Sequence, residues 1–197
     1  NMSDAFFRDL AIPAPDFNLG VGSGSHAWQT AQIMLRFEEL IPCLKPNLIL
    51  VVGDVNSTLA CALVAAKLGI PVAHVEAGLR SYDRTMPEEI NRILTDHLSD
   101  YLFTSCRDAG YNLKREGISE GKIFFVGNVM VDSLLAHLSK VRNSKILEIL
   151  GLNSGEYALL TLHRPSNVDN RETLSRILKA IYTIQKKLPV VFAAHPR

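Results

Sequence analysis

Cysteine, tryptophan and long apolar runs are all scarce in this chain of 197 residues. The three cysteines, Cys43, Cys61 and Cys106, form no Cys-x-x-Cys pair, so we expect buried thiols in a reducing compartment and no disulfides. No stretch approaches the roughly 20 apolar residues that span a bilayer. The first ten residues also lack the basic and apolar segments of a signal peptide. We therefore expect a cytoplasmic protein with no membrane partner.

An excess of charge of one sign is lacking as well. The chain has 21 Lys and Arg against 20 Asp and Glu, a net charge of +1, so nothing draws it electrostatically to nucleic acid. Hydrophobic residues make up 47% and charged residues 21%, as in a globular protein with a sizeable core. The chain begins at Asn1 and stops at Arg197, directly after a strand-like run, and we expect a fragment cut at both ends.

Short apolar runs alternate with segments of helical periodicity along the chain. Such alternation predicts an α/β fold, in which parallel strands are covered by helices on both faces. The predicted strands lie within 47–54, 70–75, 100–105, 122–128, 157–162 and 189–194, and the helices within 26–42, 56–69, 87–99, 107–117, 129–141 and 170–188. The pattern loosens over 143–156, which hold one short helix, so we place an N-terminal domain at 1–150 and the start of a second at 151–197.

Polar residues follow the predicted strands at the edge where ligands bind in open α/β sheets. Asp54 ends the first run and is either a cleft-facing base or a turn and capping residue. Glu76 follows an apolar strand, and its carboxylate needs solvent or a partner. A salt bridge with Arg80 is the structural alternative for Glu76. An N-cap at Asn56 or Ser57 is expected to open the next helix.

Charge is densest over residues 74–92, HVEAGLRSYDRTMPEEINR. Thr85 and Glu88 have the spacing of a capping box, which competes with a chemical role for Glu88. Glu89 and Arg92 are expected to be outward-facing helix charges. The residues alone therefore predict a polar sheet rim followed by a capped helix.

A third polar cluster follows the strand at 157–162. His163 could transfer protons or contact phosphate, and Arg164 could make bidentate phosphate contacts; the alternative is a loop histidine bonded to a backbone carbonyl. The remaining histidines are isolated, so we expect no metal site. The segment LGVGSGSH, residues 19–26, contains Gly-x-Gly-x-Gly without a preceding strand, which favours a flexible loop over a dinucleotide site.

Four segments together resemble the UDP-N-acetylglucosamine 2-epimerase family, most closely its non-hydrolysing bacterial type: residues 53–81, 86–103, 126–135 and 161–169, with GD, HVEAGLRS, PEEINR and HR in this order. The resemblance implies a glycosyltransferase-B-like fold of two Rossmann-like domains, here with the first strand missing and the second domain truncated. It also implies inversion of C2 of UDP-N-acetylglucosamine to give UDP-N-acetylmannosamine, by elimination and re-addition of UDP, without a cofactor. A homodimer is implied too. The site residues it implies are Asp54, Glu76, Glu88 and His163 as catalytic, Arg80 and Arg164 as substrate-binding, and Gln29 and His195 as candidates for an allosteric site.

Three other functions stay open at this stage. A hydrolysing relative would release N-acetylmannosamine and UDP, and a transferase of the same fold would leave C2 untouched. A noncatalytic nucleotide-sugar binding module is the third. Because phosphate-binding loops typical of the family are missing at both ends, we expect the 197 residues alone to be inactive.

Overall fold

A computed structural model describes residues 7–8, 10–162 and 164–194. The chain divides into two compact units, Asn1–His137 and Leu138–Arg197. This division lies upstream of residue 150, and the assignment of 1–150 and 151–197 as the domains of the whole protein stays a prediction. Several helices begin in the first unit: α1 (His26–Leu44), α2 (Asn56–Lys67), α3 (Pro87–Leu98), α4 (Arg107–Arg115) and α5 (Val129–Arg142). Helix α5 continues past His137 into the second unit.

The first unit is built on a four-stranded parallel sheet. Its strands β1 (Ile49–Val52), β2 (Val72–Ala77), β3 (Tyr101–Thr104) and β4 (Ile123–Phe125) lie in sequence order. All neighbours pair in parallel, with Ile49 opposite Val72 and Ala73 opposite Tyr101. Each predicted strand of this unit is therefore confirmed, and the carboxyl ends of all four meet at one edge.

The core of this unit lies against β1, β2 and α2. Ile49, Val51 and Val72 pack there with Ala62 and Ala65. The expectation that β1 is covered on both faces is wrong, because its burial alternates and Leu50 and Val52 are more than half exposed. One face of this edge strand is therefore not covered by the described residues.

Local signals at the helix ends were partly misleading. The first predicted helix, 26–42, ends two residues too early: α1 continues through Pro42 to Leu44 and closes at Lys45 in the left-handed conformation. The N-cap of α2 is Val55, not Asn56 or Ser57. The exposed thiol of Cys43 also contradicts the expectation that every cysteine is buried.

The second unit contains a two-stranded parallel sheet. Strand β5 (Ala158–Leu160) pairs with β6 (Val190–Phe192), and Ala158 lies opposite Val190. Between the strands lie a short helix that the sequence did not predict, α7 (Pro165–Val168), and α8 (Arg171–Ile184); α6 (Ile146–Leu150) precedes them. Asn170 caps α8 by accepting the Thr173 N–H at 2.9 Å. The predicted strand, helix, strand order of this unit is confirmed.

Candidate active site

Two candidate carboxylates follow adjacent strands at the same edge of the sheet. Asp54 lies two residues after β1, and Glu76 lies near the end of β2, one residue after Val75, which pairs with Val52. The turn after β1 is hydrogen-bonded to this part of β2: the Gly53 N–H donates to the Val75 carbonyl at 3.1 Å. A Cβ on Gly53 would stand 3.6 Å from Oε2 of Glu76. The parallel register therefore brings the Glu76 carboxylate to the Gly53–Asp54 turn.

Glu76 occupies a strained backbone position. Its φ of +72° lies in the left-handed region, and the pairing of β2 with β3 shifts between Val75 and Ala77. The residue thus forms a bulge, a feature that re-aims a side chain and bends the strand. A residue other than glycine costs about 1–3 kcal/mol in such a conformation, which persists where the surroundings enforce it. Strain of this kind concentrates at functional sites.

Asp54 is held from α3 at both its side chain and its main chain. Arg92 donates from Nη2 to Oδ2 of Asp54, and Asn91 donates from Nδ2 to the Asp54 carbonyl at 2.9 Å. Arg92 also donates from Nη1 to Oε2 of Glu89 at 2.6 Å. Arg92 therefore bridges two carboxylates and fixes the direction of the Asp54 side chain.

Glu89 points inward, and the expectation of an outward-facing charge there is wrong. It is 1% exposed and accepts the N–H groups of Ser81 at 2.9 Å and Tyr82 at 3.0 Å. Burial opposes the charged form, but these backbone bonds and Arg92 outweigh it, so the pKa of Glu89 is lowered. A buried carboxylate thus ties the loop that follows β2 to the first turn of α3.

Arg80 pairs with Asp96 and Glu116, so the expected salt bridge to Glu76 is not formed in the described structure. Its Nη1 donates to Oδ2 of Asp96 at 2.7 Å, and its Nε and Nη2 donate to Glu116 at 2.7 and 2.6 Å. The Arg80 side chain is 1% exposed. Burial works against its charge, but the two acidic partners outweigh burial and raise the pKa of the guanidinium. A substrate-binding role for Arg80 stays a prediction.

His74 and Asp96 form a buried pair beneath the bulge. Nδ1 of His74 lies 2.7 Å from Oδ1 of Asp96, and Nε2 lies 2.8 Å from the carbonyl oxygen of Gly53. Both side chains are fully buried. Oδ2 of Asp96 accepts the Gly78 N–H at 3.0 Å. Asp96 therefore contacts β2 and the loop after it on both sides of Glu76.

Glu88 is exposed in the first turn of α3, and the expected capping box is absent. The N-cap is Met86 and makes no side-chain bond. Thr85 donates from its N–H and its hydroxyl to Asp83 at 2.9 and 2.6 Å. The structure records no side-chain hydrogen bond of Glu88 within the described ranges, so the capping explanation for this carboxylate no longer applies.

Gln29 connects to the Asp54 turn through two asparagines. Asn56 donates from Nδ2 to Oε1 of Gln29 at 2.7 Å, and Asn91 donates to Oδ1 of Asn56 at 3.2 Å as well as to the Asp54 carbonyl. Gln29, Val55 and Asn56 also line an open cavity of about 440 Å³. The proposed allosteric residue thus lies next to the N-terminus of α2, and its role stays a prediction.

The remaining predicted residues fall in or near the second unit. Arg164 is exposed directly before α7, and its carbonyl accepts the Asn167 N–H at 2.9 Å. His163 and His195 lie outside the described residues. Their roles, and that of Arg164, stay predictions. In the described part of the chain, no helix has the length and hydrophobicity needed to cross a membrane, and no group of His, Cys, Asp and Glu side chains has the arrangement of a metal site.

The residues that the sequence reasoning missed share one helix and one strand. The burial pattern of helix α3 is the reverse of the usual one. Its apolar residues Ile90 and Leu94 are nearly half exposed, whereas four polar residues are buried: Glu89, Asn91, Thr95 and Asp96. The signal was present in PEEINRILTDHL, where Glu89, Arg92 and Asp96, and likewise Asn91 and Thr95, are spaced by the three or four residues that place side chains on one side of a helix. His74 had a weaker signal, as a polar residue within an apolar strand, which requires a buried partner.

Comparison with known proteins identifies the family. The family model described as UDP-N-acetylglucosamine 2-epimerase matches residues 1–197. A UDP-N-acetylglucosamine 2-epimerase homolog of Methanococcus maripaludis is 50% identical over 100% of this chain and 55% of its own length. A UDP-2,3-diacetamido-2,3-dideoxy-D-glucuronate 2-epimerase of Pseudomonas aeruginosa is 46% identical over the same shares. The chain spans about half the length of the curated relatives it matches.

A solved structure shows the same fold. The chain is similar to the UDP-GlcNAc 2-epimerase of Methanocaldococcus jannaschii in complex with UDP-GlcNAc and UDP, with a TM-score of 0.88 and 48% identity over 98% of this chain and 54% of that chain. This likeness and the parallel sheets confirm the predicted α/β, glycosyltransferase-B-like fold class. The chain belongs to the UDP-N-acetylglucosamine 2-epimerase family.

Proposed function

We propose that this protein, at its full length, inverts C2 of UDP-N-acetylglucosamine without net hydrolysis and supplies UDP-N-acetylmannosamine for cell-surface polysaccharide precursors. The observation that carries the proposal is Glu76, held in a strained bulge at φ +72° beside the Gly53–Asp54 turn. The names of the family's matched members support the substrate class. UDP-N-acetylglucosamine is accordingly the partner that we propose, and a homodimer stays a prediction.

The chemistry requires carboxylates at a defined position. The proton on C2 is weakly acidic, so a positioned base must remove it while UDP leaves from C1. The C–H electron pair then forms the C1–C2 double bond, and the C1–O electron pair departs with UDP. Re-addition of UDP and return of a proton to the opposite face of C2 complete the inversion. Asp54, Glu76 and Glu88 supply three carboxylates for these proton transfers.

Stabilisation of the departing diphosphate is assigned to cationic side chains. Guanidinium groups bind phosphate oxygens in a bidentate manner and stabilise the charge that develops as UDP leaves. We assign this role to Arg164, with His163 beside it, and keep Arg80 as a candidate for substrate contact. Gln29 and His195 are proposed for a second, regulatory nucleotide-sugar site.

A second substrate has support from one relative. The Pseudomonas aeruginosa protein named for UDP-2,3-diacetamido-2,3-dideoxy-D-glucuronate is 46% identical to this chain, against 50% for the Methanococcus maripaludis homolog named for UDP-N-acetylglucosamine. The same carboxylates would serve both sugars, because the reacting centre is C2 in each. Substrate specificity at C3 and C6 must then come from other contacts.

The experiment compares Glu76→Gln with wild type in the full-length protein, using both sugar nucleotides in D₂O. We expect the wild type to form the C2 epimer with deuterium at C2, and the variant to lose about 10²- to 10⁴-fold in kcat with a far smaller change in KM. Glu39→Gln, on the exposed face of α1, is the matched control and should keep wild-type turnover.

Each alternative gives a different product. Free N-acetylmannosamine and UDP as the only products would show the hydrolysing reaction, and recovered sugar nucleotide without deuterium would favour a transferase. Binding without any turnover would show a noncatalytic module. Wild-type kcat in Glu76→Gln would refute the assignment of Glu76 as a base.

A further inference from the structure

We propose that the buried His74–Asp96 pair is a positioning device that holds the Glu76 bulge and the Gly53–Asp54 turn together. The inference rests on the proposed function of Glu76 and Asp54. It gives His74 and Asp96 the role of positioning those two carboxylates, without contacting the substrate themselves. Both side chains are completely buried, so their polar atoms must be satisfied by the protein. Apart from each other and Arg80, their partners are two backbone groups, the carbonyl of Gly53 directly before Asp54 and the N–H of Gly78 two residues after Glu76.

The first half of the device is Asp96, which spans the bulge. Its Oδ1 is 2.7 Å from Nδ1 of His74, two residues before Glu76, and its Oδ2 accepts the N–H of Gly78, two residues after Glu76, at 3.0 Å. One carboxylate on α3 thus fixes the chain before and after the strained residue. A left-handed Glu76 persists only if its surroundings enforce it, and these two bonds supply that enforcement.

The second half is His74, which links Glu76 to Asp54. Its Nε2 lies 2.8 Å from the carbonyl oxygen of Gly53, and Gly53 directly precedes Asp54. The same imidazole therefore touches the β1 turn with one nitrogen and Asp96 with the other. Any displacement of the imidazole would move the two carboxylates relative to each other.

The partners of His74 determine its protons. A carbonyl oxygen only accepts, and the Asp96 carboxylate, which accepts from Arg80 at 2.7 Å, also only accepts when it is ionised. With an ionised Asp96 each ring nitrogen of His74 faces an acceptor, which is the geometry of an imidazolium ion with a proton on both nitrogens. Its charge is balanced inside the cluster, because His74 and Arg80 face Asp96 and Glu116. The positive charge of His74 gives both of its hydrogen bonds the added strength of a charged donor.

The protonation state is tested without substrate by long-range ¹H–¹⁵N correlation of the histidine rings near neutral pH, with His74→Gln as the assignment control. Two protonated ring nitrogens on His74 are expected. In Asp96→Asn the amide can donate to Nδ1, so a neutral His74 with its proton on Nε2 is expected, still bonded to Gly53. A neutral His74 in the wild type would overturn the ionic pair.

The positioning role is tested by turnover of the full-length protein. Asp96→Ala removes both anchors of the bulge, and we expect kcat to fall about 10- to 100-fold, as for a misplacement of around 1 Å, with KM within a few-fold of wild type. Asp96→Asn keeps an acceptor for Gly78 and should recover most of kcat. If Asp96→Ala does not fold, His74→Gln, which can donate to only one of the two acceptors, is expected to lower kcat in the same way.

Asp100→Ala is the matched control. The Asp100 carboxylate also accepts a backbone N–H, from Val72 at 3.2 Å, but it lies before β3 at the opposite edge of the sheet, so its loss should lower stability and leave kcat unchanged. Wild-type kcat in both Asp96→Ala and His74→Gln, or an equal loss in Asp100→Ala, would overturn the positioning role. Absence of turnover in the wild type would instead overturn the proposed function. The NMR result would still stand, because it is obtained without substrate.

Discussion

The strain at Glu76 predicts an unusual response to glycine. At φ +72° an L-residue with a Cβ is disfavoured by about 1–2 kcal/mol, whereas glycine adopts the conformation freely. Glu76→Ala and Glu76→Gly remove the same carboxylate, so any loss of side-chain contacts is nearly common to both variants. We therefore expect Glu76→Gly to be more stable than Glu76→Ala by about 1 kcal/mol, although both lack the proposed base.

The assay is urea unfolding of both variants at neutral pH, with the difference in free energy of unfolding as the result. The control is the same pair of substitutions at Glu39, in the exposed part of helix α1, where alanine should be the more stable residue by about 0.8–1 kcal/mol. The sign of the difference must reverse between the two positions. Glu76→Gly that is less stable than Glu76→Ala would refute the inference that the bulge stores strain.

Three further substitutions test the surroundings of the site, and a fourth, at Gly69, serves as the control for one of them. The pKa of the Glu89 carboxylate is lowered in the fold, so its contribution to stability is fully present above the unfolded pKa of about 4.3 and is lost as the pH falls through the lower folded value. Glu89→Gln should therefore have a lower urea midpoint than wild type at pH 7, and the gap between the two midpoints should narrow only as the pH falls below about 4. Gly78→Ala should destabilise by more than about 2 kcal/mol, because its Cβ would lie 2.4 Å from the Ala109 carbonyl. At Gly69 an added Cβ would meet no atom within 4 Å among the described residues. Gly69→Ala should therefore lower the free energy of unfolding by only about 1–2 kcal/mol, the cost of its positive φ. Arg80→Ala should lower the free energy of unfolding by about 3–5 kcal/mol in thermal or urea unfolding, because it removes the guanidinium that pairs with both the buried Asp96 carboxylate and Glu116.

Local pattern was sufficient for the framework of the fold. Apolar runs of strand length, each followed by a helical segment, predict parallel strands. The helix carries the chain back to the edge of the sheet where the previous strand began, so that the next strand runs in the same direction. All six predicted strands, from Ile49–Val52 to Val190–Phe192, are present. Because ligands bind at the carboxyl ends of parallel strands, the order of these segments also predicts that Asp54 and Glu76 lie on one rim of the sheet.

The same local reasoning failed where polar groups are buried. For Glu89 and Arg92 a solvent-facing helix surface was the simpler prediction, since an ionised side chain is costly to bury without partners. Those partners come from distant parts of the chain, the loop that contains Ser81 and the turn at Asp54. Sequence spacing within α3 shows that its polar residues share a face but cannot show what that face meets.

The sequence by itself therefore determined the order of strands and helices, the rim on which the acidic residues lie, and the family to which the chain belongs. Only the tertiary structure decided which partners Arg80 has, because they lie far from it in sequence: Arg80 contacts Asp96 and Glu116, not Glu76. It also decided the conformation of Glu76. A bulge is set by the register of β2 against β3 and by the anchors at His74 and Gly78, and neither can be read from the residues around Glu76 alone.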